Sequence, residues 1–324
     1  MLIKIVGCGN AFSMKNGNQS FLVEEDGRRM LIDCGSRIPV SLAEMGIKLS
    51  TIDDFYVSHG HGDHIGGLEE VAFTRYDWST KPKHYTQGKY APRLIGNAGF
   101  LKDLWDYSLK GGLSSMEGFQ STLETFFEVT PIQPNEPFAW QGWTVDLIQQ
   151  LHVMAGNVAM WTFGLMFKRA GHKTVYFTTD SQHCSPSQMQ TFYRDADVIF
   201  QDCELIGNNF QFQEGQKVYE DETGFHAWPE DESGLLIAMT HEPSYWKVRR
   251  MTSGVHANYS ELAGYPSANH IQLSTEIKAK MWLSHYQDFK MDNKDMYGNV
   301  VNWDAQASKD GFQGFITPGQ VFEF

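Results

Sequence analysis

Only four of the 324 residues are cysteine, at positions 8, 34, 184 and 203, and no two of them stand in a CxxC spacing. Neither a disulfide framework nor a zinc ribbon is expected from so sparse a set, and the thiols read as reduced, small core residues. Long apolar runs are also lacking. No stretch approaches the ~20 residues that a membrane helix needs. The apolar start, MLIKIVG, passes into a glycine turn too soon for a signal peptide, so the chain reads as cytoplasmic, unprocessed and without a membrane partner. Basic residues are few: 26 Lys and Arg against 39 Asp and Glu, for a formal charge of −13. A protein that grips long nucleic acid normally concentrates positive charge, because phosphate neutralisation supplies most of the affinity. A small anionic substrate, drawn in by a local metal charge, fits an acidic chain better.

What is present is an ordinary globular composition, 41% hydrophobic and 14% aromatic, in a chain long enough to bury a sizeable core. Strands are predicted at MLIKIVG, QSFLVEEDG and RRMLIDCG, followed by a helix from Ser36 to Ile47 with Leu42 and Met45 on one face. A further strand, DDFYV, runs into the loop SHGHGDH, after which Gly66 and Gly67 free the backbone to enter a helix containing LEEVAF. FLKDLWDYSLKGG and FQSTLETFFEV read as helical. Strands return at WTVDLIQQLH and in a hairpin turning at Ala170–Gly171, then a helix leads to Arg194 and the strand ADVIFQD. An insertion is expected at about 207–254, then a helix around ANHIQLSTEIKAK and the strand KMWLSH. Strands and helices alternating in two halves argue for a single layered α/β domain over 1–324.

The chemistry gathers at residues 57–67, VSHGHGDHIGG, where His59, His61, Asp63 and His64 fall within six positions of a chain holding only 12 histidines. In an extended segment, side chains at i and i+2 share a side, so His59 and His61 converge on one metal ion. Asp63 and His64 lie past the turn and face a second. Imidazole nitrogen and carboxylate oxygen suit zinc, with manganese and iron as substitutes. An HxHxDH string arises by composition in roughly one such chain in a thousand, so it is a specific signal.

HxHxDH after a strand resembles the metallo-β-lactamase superfamily, whose fold is a four-layered αββα arrangement of two packed mixed sheets flanked by helices. The resemblance implies three further ligands in order: a histidine ending a later strand, an aspartate after the next hairpin, and a histidine closing a C-terminal strand. His152 in LIQQLHVMAG, Asp180 in VYFTTDSQ and His285 in KMWLSHYQDF stand in those places. It further implies that His59, His61 and His152 hold one of two divalent cations, that Asp63, His64 and His285 hold the other, and that Asp180 bridges them.

Within the superfamily the chain is most similar to the tRNase Z-like branch and its small cyclic-nucleotide phosphodiesterases of the anti-Pycsar type. GCGNAFSMKNGNQSFLV looks like that branch's glycine turn and following strand; ADVIFQDCEL looks like its acidic segment, placing Asp202 there with Glu204 as an alternate; GVHANYSEL looks like its catalytic-histidine motif, here His256. The implied function is hydrolysis of a small nucleotide phosphodiester, such as a cyclic mononucleotide, by a metal-bridging hydroxide. Asp63, Asp202 and His256 form the implied catalytic set, and a homodimer the implied assembly. An Asp202–His256 pair would give the leaving oxygen a proton. Processing of tRNA 3′ ends is the alternative, weakened because only one hairpin's length separates His152 from Asp180, with no room for a basic arm. Hydrolysis of a lactone, thioester or β-lactam on the same metal pair, and non-enzymatic nucleotide binding, rank lower. In the insertion, Trp228, Tyr245 and Trp246 could stack a base and Arg249 or Arg250 meet a phosphate, while His183, His226 and His241 read as surface histidines.

Overall fold

The computed structural model describes residues 1–76, 91–133, 136–155, 158–181, 189–204, 220–221, 224–225, 255–257, 259–264, 273–294 and 300–324. The chain divides into two compact units, Met1–Leu147 with Thr317–Phe324, and Ile148–Ile316.

The first unit is built on a mixed seven-stranded sheet. Its members are β1 (Leu2–Gly7), β2 (Ser20–Glu25), β3 (Arg28–Ile32), β4 (Asp54–Val57), β5 (Arg93–Asn97), β8 (Glu128–Ile132) and the closing strand β18 (Val321–Glu323), in the order β18-β1-β2-β3-β4-β5-β8. β1, β2 and β3 pair antiparallel through Ile3↔Val23 and Val23↔Met30, β2 and β3 being joined by a two-residue turn at Asp26–Gly27. From β3 onward the pairing is parallel, Leu31↔Phe55, Leu94↔Phe55 and Ile95↔Thr130, so the carboxyl ends of β3 and β4 lie side by side. Helices α1 (Ile38–Glu44), α2 (Gly62–Ile65) and α3 (Leu68–Arg75) follow those ends. Leu42, Ile65, Leu68 and Val71 bury their side chains in one cluster with Val6, Leu31 and Val57.

The region after Arg75 departs from the periodicity read in the sequence. α4 (Ala98–Leu104), a π turn at Trp105–Leu109 and α5 (Lys110–Leu113) agree with the helix expected there. FQSTLETFFEV is not an α-helix: it opens on β7 (Phe119–Gln120), which pairs with β6 (Ser115–Met116) just ahead of it, and continues through a 3₁₀ turn at Leu123–Thr125 into the start of β8. Thr122 and Thr125 cap each other's backbone around that turn. The β-branched residues that follow pair with β5, a strand the apolar pattern did not single out.

A short strand, β9 (Phe138–Trp140), turns into β10 (Trp143–Ala155), which carries the chain into the second unit. Here β11 (Val158–Lys168), β12 (Val175–Phe177), β13 (Val198–Asp202), β16 (Met281–Ser284) and β17 (Gly314–Phe315) complete a sheet of order β17-β16-β13-β12-β11-β10-β9. The β11–β12 hairpin turns where expected, with Gly171 at φ +80°. β12, β13, β16 and β17 are parallel neighbours, in registers Tyr176↔Ile199, Phe200↔Trp282 and Leu283↔Phe315, so their carboxyl ends share one edge. Between them run α6 (Tyr259–Ala263), α7 (Thr275–Lys278, capped by Ser274) and α8 (Trp303–Asp310). The helix expected across ANHIQLSTEIKAK is, among the described residues, only the single turn of α7.

Within the expected insertion the described residues are two short paired strands, β14 (Glu220–Asp221) and β15 (Gly224–Phe225). Trp228, Tyr245, Trp246, Arg249, Arg250, His183, His226 and His241 lie outside the described residues, as does Cys184. Cys8, Cys34 and Cys203 are buried thiols. No helix among the described residues is long and apolar enough to cross a membrane.

One buried ion cluster anchors the first unit. Asp54 is fully buried at the start of β4. It accepts from Arg28 Nε at 2.6 Å and Nη2 at 2.8 Å, from Arg93 Nε at 2.8 Å and from Trp140 Nε1 at 2.7 Å. Burial alone would raise its pKa, but these donors outweigh burial and hold the carboxyl below its ordinary range. An acid depressed in the folded state stabilises the fold above the unfolded value of about 3.9 and loses that contribution as pH falls through the lower folded value. Asp54→Asn is therefore expected to lower stability by about 2–3 kcal/mol at pH 7, a figure discounted because both arginines are partly exposed. Urea midpoints of the two proteins should converge below about pH 3.9; a gap that stayed constant would refute the charge argument.

Candidate metal centre

In the first unit, the HxHxDH segment leaves β4 at its carboxyl end. His61 is extended, with φ −73° and ψ 149°, and is the N-cap of α2, the turn that carries Asp63 and His64. The expected i, i+2 convergence is present: His59 Nε2 and His61 Nδ1 lie 3.0 Å apart. Asp63 and His64 sit one turn on, both buried, with His64 Nε2 3.4 Å from Asp63 Oδ2. The His59 and His64 rings are tilted neighbours, 4.2 Å between centroids.

Close packing holds this segment in place. Gly35, after β3, has no room for a side chain: a Cβ there would lie 1.9 Å from the Asp63 carbonyl oxygen and 2.7 Å from Asn18 Oδ1. The Gly67 amide donates to the Cys34 carbonyl at 2.8 Å, and the Cys34 amide to the His64 carbonyl at 2.8 Å.

In the second unit, three parallel strands release their chemistry at a common edge: Asp180 three residues past β12, Asp202 at the end of β13, and His285 directly after β16. Asp180 turns its two oxygens to different histidines. Oδ2 lies 3.7 Å from His152 Nε2, and Oδ1 lies 3.2 Å from His285 Nε2. The backbone is strained here, with Thr179 at φ +52° and His285 at φ +60°. Such conformations cost about 1–3 kcal/mol each and persist where surrounding contacts hold them. At Thr179 the neighbours are Thr162, whose hydroxyl is 2.9 Å from the Thr179 hydroxyl, and Gln150, which donates to the Thr178 carbonyl at 2.8 Å.

His256 completes the cluster. Asp180, Asp202, His256 and His285 are all buried, with donor atoms within 4.8 Å of one another. His256 Nδ1 is 2.9 Å from Asp202 Oδ2, its Nε2 is 3.4 Å from Glu204 Oε2, and its ring stacks on His285 at 4.7 Å. Both acids weighed for this role thus lie on the imidazole, one at each nitrogen. Burial would lower the His256 pKa, but Asp202, Asp180 and Glu204 outweigh it and raise it to about 10. Burial likewise raises Asp202, against the pull of His256 and His285. The surrounding acids therefore favour the charged form of the His256 imidazole. A cation at Asp180 would cancel part of this negative field and bring His256 down.

The donor geometry fits divalent cations. Two ligand atoms on one tetrahedral zinc, with bonds of about 2.0–2.1 Å, stand about 3.3 Å apart. The His59–His61, His64–Asp63 and His285–Asp180 separations are 3.0, 3.4 and 3.2 Å. His152 has its other nitrogen occupied, Nδ1 lying 2.8 Å from the Val255 carbonyl, which directs Nε2 toward Asp180 as a ligand. Within the first unit the fold brings together His59, His61, Asp63 and His64, and within the second His152, Asp180, Asp202, His256 and His285. Asp33 and Ser58, which contact His64 and His59, carry no signal in the sequence beyond the strand-end position of Asp33 in LIDCG.

The sequence profile of the anti-Pycsar protein Apyc1 family matches residues 1–213. The chain belongs to this family. Anti-Pycsar protein Apyc1 of Bacillus phage BSP38 is 33% identical over 288 residues, covering 88% of this chain and 89% of its own. Its counterpart in Paenibacillus harenae is 33% identical over 207 residues, 63% of this chain and 78% of its own. Among solved structures, the metallo-β-lactamase fold protein YhfI of Bacillus subtilis superposes with a TM-score of 0.59 at 16% identity, covering all of this chain and 98% of its own. The fold class expected from HxHxDH is thus the one adopted. The family profile ends ahead of His256 and His285, so their place rests on the geometry above.

Gly35→Ala tests how closely the segment is packed. The added methyl must displace the Asp63 carbonyl, an overpacking expected to destabilise by about 1–3 kcal/mol and to reduce bound metal. Chemical denaturation and elemental analysis of the purified variant measure the two effects; wild-type values for both would mean the contact is dispensable.

Proposed function

We propose that the chain is a dinuclear metal-dependent phosphodiesterase acting on a small nucleotide phosphodiester, such as a cyclic mononucleotide. In this reading His59, His61 and His152 hold one divalent cation, zinc by preference. Asp63, His64 and His285 hold the other, and Asp180 is shared between them. The observation that carries the proposal is the Asp180 carboxylate, which offers one oxygen beside each of two histidines from different strands. When bound, the cations supply Lewis acidity toward a phosphoryl group and make water a nucleophile at neutral pH.

The remaining chemistry belongs to the chain itself. Asp202 accepts at His256 Nδ1, which orients the ring and favours its charged form, leaving the proton on Nε2 to be given away. Glu204 Oε2, 3.4 Å from Nε2, adds to the field that favours this charged form and leaves the Nε2 proton for an ester oxygen. Breaking a phosphodiester leaves an alkoxide that needs this proton, whereas carbonyl hydrolysis needs less help with its leaving group. The acid–histidine pair therefore favours a phosphodiester over a lactone or β-lactam. The −13 charge favours a small anion over a long polyanion, and with it a cyclic nucleotide over precursor tRNA. Membership in the anti-Pycsar family supports the same choice, through the resemblance to phosphodiesterases of cyclic nucleotides.

Protein loaded with zinc, manganese or iron is expected to hydrolyse cyclic mononucleotides or bis(p-nitrophenyl) phosphate, assayed beside a precursor tRNA. No turnover of either ester with any of the three metals would refute the proposal, and cleavage of the tRNA alone would replace it with 3′-end processing. His256→Ala should keep its metal while its rate falls by roughly 10²–10⁴. The alkaline decline of the wild-type rate, caused by loss of the imidazole proton, should vanish in that variant. An unchanged rate would remove His256 from proton donation.

A further inference from the structure

We propose that Asp33 and Ser58 form a proton-ordering relay that sets the tautomer of both His59 and His64. It thereby ties the ligand readiness of one proposed metal position to that of the other, and this consequence rests on the dinuclear reading. Asp33 is buried at the end of β3, at φ +60°. Its backbone is fixed on both sides: Ser20 Oγ donates to its carbonyl at 2.7 Å, and its amide donates to the Tyr56 carbonyl at 2.9 Å.

The side chain is engaged three times. Asp33 Oδ1 accepts from the Ser58 amide at 2.8 Å. Oδ2 accepts from the Ser58 hydroxyl at 2.7 Å and lies 2.8 Å from His64 Nδ1. A carboxylate only accepts, so His64 must carry its proton on Nδ1. The Ser58 hydroxyl has one proton and gives it to Asp33. Toward His59 Nδ1, 3.0 Å away, that oxygen can then only accept, so His59 also carries its proton on Nδ1. One carboxylate thus dictates two tautomers, one directly and one through a serine. Both leave Nε2 bare, and Nε2 is the atom each histidine turns toward its neighbour in the pair, His61 for His59 and Asp63 for His64.

Asp33 and Ser58 are positioning residues: they act through the histidines and touch no substrate. Outer partners of this kind typically change metal affinity 10–100-fold. Ser58→Ala removes only the His59 arm and should weaken one of two cation sites by that factor. Ser58→Thr keeps the hydroxyl and should restore it. Asp33→Asn puts an amide where Oδ2 accepts two donors, which turns the Ser58 proton toward His59 and should weaken both sites.

Two measurements test this without substrate. Long-range proton–nitrogen correlation spectra of the metal-free wild type, with its imidazoles neutral, should place the proton of His59 and of His64 on Nδ1. A proton on Nε2 of either overturns the relay, whether or not any variant folds. Zinc titration against a competing chelator should then give one weakened site in Ser58→Ala, two in Asp33→Asn and none in Ser58→Thr. Unchanged affinities, or equal loss at both sites in Ser58→Ala, would also overturn it. An ordered pair of tautomers in a protein that hydrolyses nothing would refute the phosphodiesterase proposal alone. An active enzyme with a misplaced proton would refute the relay alone.

Discussion

Burying Asp180 and Asp202 together sets a constraint that the second unit is built to meet. Two carboxylates in a dry edge repel each other and lose their hydration, and each loss raises the cost of keeping them ionised. His285 stands between them, with Nε2 3.2 Å from Asp180 and Nδ1 3.6 Å from Asp202, and His256 covers Asp202 from the other side. His256, whose charged form these acids favour, offsets part of the cluster's negative charge, and cations would neutralise more of it. A cluster of this composition is ill suited to a purely structural core and well suited to metal.

Parallel strand pairing is what makes the cluster possible. Parallel neighbours end side by side, so residues at or just past the ends of β12, β13 and β16 meet although they come from sequence positions 180, 202 and 285. The same logic operates in the first unit, where β3 and β4 deliver Asp33 and the histidine segment to adjacent ends. In both places the chain leaves the strand through an uncommon backbone conformation, at Asp33, Thr179 and His285. The strain is held by buried hydrogen bonds from neighbouring strands, which is why the donors can be placed more firmly than an exposed loop would allow.

The contrast between the two ends of Asp54 and of Asp33 separates stability from function. Both are buried carboxylates at the margins of a strand. Asp54 is surrounded by two arginines and a tryptophan, permanent donors that leave nothing to exchange. Asp33 faces a serine and a histidine, groups whose protons have alternative positions. The first arrangement can only hold the fold together, and the second can also set which atom of a ligand is available.

Much is legible in the sequence alone. The HxHxDH run and the strands on either side of it follow from local patterns, because a short parallel strand announces itself by apolar and β-branched residues and its end by a polar one. The places of His152, Asp180 and His285 come from the resemblance, and His152, expected to end its strand, lies three residues inside β10, which runs on to Ala155. The family resemblance supplied their order. FQSTLETFFEV misled, since an apolar spacing compatible with a helix was overruled by pairing with β5, a partner distant in sequence. Asp33 and Ser58 were invisible as actors for a related reason: no spacing rule says which buried carboxylate will face which imidazole nitrogen. The sequence by itself determined the kinds of donor and the strands that end in them. Tertiary structure alone decided which hydrogen bonds each imidazole makes, and so which nitrogen is left to bind, because proton placement depends on partners brought together only by folding.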